Sequence, residues 1–231
     1  MTPHAIPTIL ATERRKALLA EADAYRAVRQ ARLQRDPGHR SRPRRMFHRV
    51  AVRTLRIRPI RVADAAALRA AFDRLSTESR RQRFLAMKNG LTDSELRYFT
   101  DVDHHDHEAL VAVSRLTGRG VGVARYVRNP GAPDTADLAV TVVDGWQGRG
   151  VGTALVRALT GRARCEGIRA LTALMSFDNV RARQLLTAVP GTARLVERDG
   201  TTLAYEVELA VALVTSSRKR RGVLHEATAG C

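Results

Sequence analysis

The stretch Val142-Val143-Asp144-Gly145-Trp146-Gln147-Gly148-Arg149-Gly150-Val151-Gly152-Thr153-Ala154-Leu155 runs from the end of a valine-rich strand, through a cluster of glycines, into an Ala/Leu helix. A chain built this way puts bare backbone N–H groups at a helix start, where they can hold an anion. Two familiar phosphate-binding loops do not fit. A dinucleotide fingerprint, G-x-G-x-x-G, read from Gly150 would need glycine at Leu155, and a triphosphate loop would need a lysine that is absent here. What fits is a pyrophosphate cradle of successive N–H groups, with Arg149 adding charge at the rim. The plainer alternative, a tight strand-to-helix turn, explains one or two of the glycines but not three at alternate positions.

Outward from this stretch the pattern alternates between strand and helix. "RTLRIRPI" begins with a strand around Leu55 to Ile57, Asp64 stands where it would cap a helix reaching Leu75, and "STESRRQRFL" gives a second helix. Thr92-Asp93-Ser94-Glu95 is a capping box, opening a short helix to Phe99. "ALVAVSRL" and "VGVARYV" form a hairpin across Thr117 to Gly120, and a further strand spans Ala136 to Val143. The helix Val151 to Cys165 is stopped by Gly167, "RALTALM" is a strand, and another helix starts near Asn179. A closing hairpin turns at Asp199-Gly200, with Leu203, Tyr205, Val207 and Leu209 on one face of its last strand and Glu206 and Glu208 on the other. The order is an α/β mixture with one strand–helix–strand crossover, and the quoted stretch lies inside it.

The chain has 231 residues and a net charge of +17, and the charge is uneven. Residues 1–56 carry 14 Arg and Lys against 4 Asp and Glu, whereas residues 57–211 carry 22 against 18. This division suggests a basic extension over 1–49, one globular domain over 50–211 and a basic tail over 212–231. Thr12 to Asp36 reads as a charged helix with a thin apolar stripe, and Pro37 to Arg45 as a linker. Basic ends suit nucleic acid, an anionic membrane or an acidic protein, or are simply solvated. The lysines are only Lys16, Lys88 and Lys219, an arginine bias that says nothing about mechanism. No apolar run long enough to span a membrane and no cleavable leader is visible. Two cysteines, Cys165 and Cys231, are too few for a disulfide framework, so a reducing cytoplasm is the simplest compartment.

Gln147-x-x-Gly150-x-Gly152 resembles the [QR]-x-x-G-x-[GA] signature of the GNAT N-acetyltransferase superfamily. "RFL", "LTDSELRYFTDVDHHDHEALVAV", "ADLAVTVVDGWQGRGVGTAL" and "MSFDNVRARQLL" further resemble the catalytic domain of bacterial Pat-type protein lysine acetyltransferases, over about Leu55 to Leu209. The resemblance implies a GNAT fold: a mixed, mostly antiparallel twisted sheet of about seven strands, flanked by helices and splayed at its central parallel pair near Leu171. It implies acetyl-CoA as cosubstrate, its pyrophosphate held at Gln147, Gly148, Arg149, Gly150, Val151 and Gly152. The pantetheine arm would pair with Val140, Thr141 and Val142, with Asn179 at its end; a helix cap is the equally weighted alternative for Asn179.

Acetyl transfer to an amine needs a neutral amine, an oxyanion donor and a proton for the leaving thiolate. In the family the base is often a Glu ten residues before the signature Gln, a position occupied here by Asp137, one methylene shorter. A strand-end charge is its plainer role. A backbone N–H near Val142 would serve the oxyanion. No general acid is evident, since "QLLTAV" stands where relatives carry a Tyr and Tyr205 is remote. His104-His105-Asp106-His107-Glu108 reads as polar loop residues rather than a metal site, and Cys165 as helix-end packing. The expected acceptor is a protein lysine, with a small amine second, and the basic arm offers an acidic partner or nucleic acid a place to bind. The rival is a non-catalytic acyl-CoA sensor whose arginine-rich arm carries the function. The oligomeric state is open.

Overall fold

The computed structural model describes residues 54–210. The expected N-terminal helix, the linker and the basic tail lie outside the described residues.

Seven strands form one sheet in the order β1-β2-β3-β4-β5-β7-β6. They are β1 (Leu55–Pro59), β2 (His107–Ser114), β3 (Gly120–Asn129), β4 (Ala132–Val142), β5 (Ala170–Ser176), β6 (Gly191–Asp199) and β7 (Thr202–Leu209). Every neighbouring pair is antiparallel except β4 and β5. The expected mostly antiparallel sheet is therefore present, with its parallel pair at the centre. The closing hairpin reaches β5 through its second strand, so β6 is the edge and is exposed along its whole length.

Among the described residues five α-helices cover the sheet: α1 (Ala65–Asp73), α2 (Thr77–Phe84), α3 (Asp93–Thr100), α4 (Val151–Cys165) and α5 (Val180–Leu186). The α4 helix starts and ends where the sequence places it, because Gly150 at φ 83° opens it and Gly167 at φ 76° closes it. Its apolar stripe, Val151, Leu155, Val156, Leu159 and Ala163, packs against Ala124, Tyr126, Ala136 and Leu171 as the main core. Each of these residues is at most 1% exposed. Phe72, Leu75, Leu91, Leu96 and Phe99 build a second cluster from α1 and α3 on the opposite face. Gly122 lets the two layers close on β3, because a Cβ there would meet Thr141 O at 3.0 Å and Leu155 Cδ1 at 3.1 Å.

The Thr92 capping box forms as expected: Thr92 Oγ1 accepts from Glu95 N–H at 3.2 Å, and Glu95 Oε2 accepts from Thr92 N–H at 2.9 Å. Asp64 departs from expectation. It occupies the N-cap position of α1, but its carboxylate makes no bond to that helix. It accepts instead from both guanidinium nitrogens of Arg58, each at 2.7 Å, and from Arg61 N–H at 2.8 Å. The Arg58 hydrogen bond, with Arg61 N–H adding to it, outweighs burial and holds the Asp64 carboxyl below its ordinary range. Cys165 is the last residue of α4, and Cys231 lies outside the described residues. No described helix is long and apolar enough to cross a membrane.

Candidate active site

The β4–β5 ladder is short: Thr135 pairs with Ala170, Ala136 with Leu171 and Asp137 with Thr172. Beyond that point the strands part, while β4 stays paired with β3 as far as Val142. One side of the β4 backbone from Leu138 to Val142 is thus left without a strand partner. The opening is a cleft of about 460 Å³ whose lining includes Val140, Thr141, Val142, Gln147, Gly148, Gly150, Gly152 and Asn179. The splay lies where the resemblance to the GNAT superfamily implies it.

At the cleft's wide end, Gly148 (φ 68°) and Gly150 (φ 83°) take left-handed conformations that turn the chain into α4. Residues with a Cβ adopt that geometry only at a cost of about 1–2 kcal/mol. Gly150 has no side chain to cap the helix, and the first bond back to its carbonyl comes from Ala154 N–H at 3.0 Å. By helix geometry the N–H groups of Val151, Gly152 and Thr153 have no intrahelical acceptor, so they and the helix dipole favour an anion there. Val151 contributes only its backbone, since its side chain is 1% exposed in the core. Arg149 lies outside the cleft lining, its guanidinium 5.6 Å from the Trp146 ring centroid.

Gln147 has a different task from the glycines. Its Nε2 donates to Val142 O at 3.0 Å and to Ser79 Oγ at 3.1 Å, while its Oε1 accepts from the Arg181 guanidinium. It therefore ties the end of β4 to α2 and α5. Asp144 joins the same knot, accepting from Ser76 N–H at 2.7 Å and Ser79 Oγ at 2.6 Å. Burial raises its carboxyl, but these bonds prevail and hold it below the ordinary range. On the β5 side, Arg81 of α2 reaches Asp178 at 3.0 Å. The α2 helix thus straps both arms of the opening, and Ser79, Gln82 and Arg83 from it line the cleft. Asn179 Oδ1 accepts from Ala182 N–H at 3.0 Å, so it caps α5 and lines the cleft at once.

Asp137 ends the paired part of β4. It is exposed, accepts a hydrogen bond from Thr172 Oγ1 and lies just outside the cleft lining. By strand alternation it shares a face with Ala139 and Thr141, opposite the face that Ala136, Leu138, Val140 and Val142 turn to the α4 core. Tyr205, the remote substitute for a general acid, packs at the edge of the main core.

The histidine cluster divides among separate partners. His104 Nδ1 lies 2.7 Å from the fully buried Glu108, which also accepts from Arg162 Nε at 3.0 Å. His105 pairs with Glu166, and His107 Nε2 is 3.0 Å from Arg125 Nη1. The contacts to Arg162 and Glu166 tie this segment to the end of α4, while the His107–Arg125 contact joins β2 to β3.

Ser79, Gln82, Arg83, Thr153 and Arg181 were not foreseen as cleft residues. Thr153 follows from the helix geometry, as the third donor after Gly150. The others come from elements distant in sequence, Ser79 68 residues and Arg181 34 residues from Gln147, and leave no spacing signal in the cradle.

Residues 72–188 match the acetyltransferase (GNAT) family. The chain is 30% identical over 155 residues to an acetyltransferase of Pseudomonas aeruginosa, covering 66% of this chain and 83% of that protein. It is 31% identical over 130 residues to the acetyltransferase Pat of Mycolicibacterium smegmatis, a match over 56% of this chain but only 39% of the longer Pat. Among solved structures, the GNAT domain of S. lividans PAT superposes with a TM-score of 0.62 at 30% identity, covering 67% of this chain and 90% of that one.

Proposed function

The chain belongs to the acetyltransferase (GNAT) family, and from that premise we propose that it moves the acetyl group of acetyl-CoA directly to an amine, a protein lysine side chain in the first instance. The observation that carries this reading is the joining of two features at one cleft: three free N–H donors at the start of α4, and the unpartnered β4 backbone from Leu138 to Val142. A pyrophosphate fits the first and the amide-bearing pantetheine arm fits the second. When bound, acetyl-CoA supplies the activated thioester.

The protein's own residues do the rest. Gly148, Gly150, Val151, Gly152 and Thr153 hold the phosphates through backbone. Gln147 and Asp144 hold the cradle against α2, and Asn179 closes the far wall while capping α5. A β4 backbone N–H on the unpaired stretch faces the developing oxyanion. Asp137 takes the proton of the incoming ammonium, directly or through water, because an amine of ordinary pKa near 10.4 must be neutral to attack. The lysine assignment rests on the likeness to Pat proteins, and a small amine is the second acceptor class.

Calorimetric titration with acetyl-CoA, followed by thiol release over a panel of lysine peptides and small amines, tests the reading. Binding with release is expected. Binding without release from any acceptor would make the protein an acyl-CoA sensor, and absence of binding would remove the cofactor assignment altogether.

A further inference from the structure

Arg125 on β3 is 5% exposed, yet among the described residues it forms an ion pair with no carboxylate. Its contacts are to neutral groups: Nη1 to His107 Nε2 at 3.0 Å, Nη2 to Phe99 O at 3.3 Å, and the guanidinium over the Phe99 ring at 4.4 Å. Arginine has no acceptor, so it donates to His107, which fixes that ring as the neutral Nδ1–H form. Burial, then the charge of Arg125, keeps His107 neutral by pushing its pKa down to about 4. Burial and the nearby Arg83 push Arg125 itself down to about 9, which leaves it a cation at neutral pH.

A buried cation faced only by neutral groups and a second arginine is costly to maintain. Arg125 faces a cavity of about 100 Å³ between the sheet and helices α1 to α3, walled mainly by apolar residues such as Phe72, Phe84, Leu91 and Val123. The acid on that lining, Asp64, is engaged by Arg58 in two bonds of 2.7 Å. Thr141 and Arg83 line both this cavity and the acetyl-CoA cleft, so the two spaces adjoin. Arg125 also pairs in register with Ala139 of β4, which lines the cleft.

We propose that the cavity at Arg125 is an acceptor subsite for a carboxylate, so that the preferred amine carries a carboxylate group on a short arm. The inference rests on the acetyl-transfer reading above. A carboxylate there supplies the missing counter-charge and takes the guanidinium fork, while the amine of the same molecule reaches the β4–β5 opening on the Asp137 face. The carboxylate comes either from a free amino acid or from an acidic residue beside a lysine in a peptide.

Matched acceptors test this, each pair differing only at the carboxylate. One arm compares Nα-acetyl-lysine with its amide, and the other compares end-blocked Gly-Lys-Glu with Gly-Lys-Gln. In the unmodified full chain, kcat/KM is expected to favour the carboxylate by about tenfold or more in one arm, as suits a charge-assisted bond. The arm that shows the preference names the source. Arg125→Met should collapse the ratio towards one, and Arg125→Lys should keep part of it, because a charge remains but the fork is lost. The ratio is taken within each protein, so a general loss of folding does not imitate the effect. A ratio near one in the unmodified protein, or an equal ratio in Arg125→Met, overturns the proposal. If no amine is acetylated, the transfer reading fails separately. The acetyl-CoA-loaded protein is then titrated with each pair by calorimetry, where preferential binding of the carboxylate partner supports the subsite and equal binding overturns it.

Discussion

On the α4 side of the β4–β5 opening the proposed binding groups are backbone N–H donors, set by Gly148 and Gly150; on the other face of the same strands the proposed groups are side chains, Asp137 on β4 and Arg125 on β3. The difference explains what each side can discriminate. A backbone cradle accepts any phosphate of the right shape, whatever the neighbouring residues, whereas a buried guanidinium in an apolar chamber distinguishes a carboxylate from its amide. One side suits a common cosubstrate and the other a particular acceptor.

The comparison breaks most sharply at Asp137. Asp137→Ala should lower turnover by about 10²- to 10⁴-fold, the range of a lost general base, with acetyl-CoA affinity unchanged by calorimetry. Unchanged turnover would move the base elsewhere on that face, and a parallel loss of cofactor affinity would deny that the two sides are separable. Thr172, whose hydroxyl donates to Asp137, fixes the carboxylate at the last paired position of the ladder.

Gly150→Glu attacks the opposite side. It forces a side chain onto φ 83° and puts a negative charge where the helix start favours an anion. Acetyl-CoA should bind about 100-fold more weakly or worse, measured by calorimetry. The unfolding midpoint checks that the fold survives, and unchanged affinity would refute the cradle.

How much of each side was legible follows from the same contrast. The cradle is local: Gly148, Gly150 and Gly152 lie within five residues, Gly167 marks the end of α4, and Thr92 and Glu95 announce α3 by their spacing alone. The crossover was visible in the order of strands and helices, whereas the splay of its parallel pair came only with the resemblance to the GNAT superfamily. The proposed acceptor face is assembled from β2, β3, β4, α2 and α3, and no spacing in the sequence records that His107, Phe99 and Arg125 meet. The signal present was weak: an arginine between Val123 and Val127 on one face of a strand, where alternation asks for an apolar residue. Asp64 misled for a related reason. It sits where a cap belongs, but Arg58, six residues earlier, offers its carboxylate a two-pronged bond that the helix N–H groups do not match.

The smallest effect concerns the chamber's dependence on pH. His107 is 9% exposed and packs against Tyr98, its ring centroid 5.0 Å away. Burial and Arg125 lower its pKa to about 4, while Asp103 pulls weakly the other way and His104 adds to the lowering. An unfolded chain takes up this proton near pH 6.5 and the folded one near 4. Stability should therefore be level above about pH 6.5, fall by about 2–3 kcal/mol as the pH drops towards 4, and show no further loss from this group below that. Asp103, Asp144 and Glu95, whose carboxyls are held below their ordinary range, act in a separate and more acidic window, losing their contribution as the pH falls from about 4 through their folded values. In His107→Asn, urea unfolding followed between pH 7 and 4.5 should lose most of its slope, while the more acidic loss persists. An undiminished slope would show that the cation at Arg125 does not depend on a neutral His107, and the two sides of the opening would then differ in geometry but not in electrostatics.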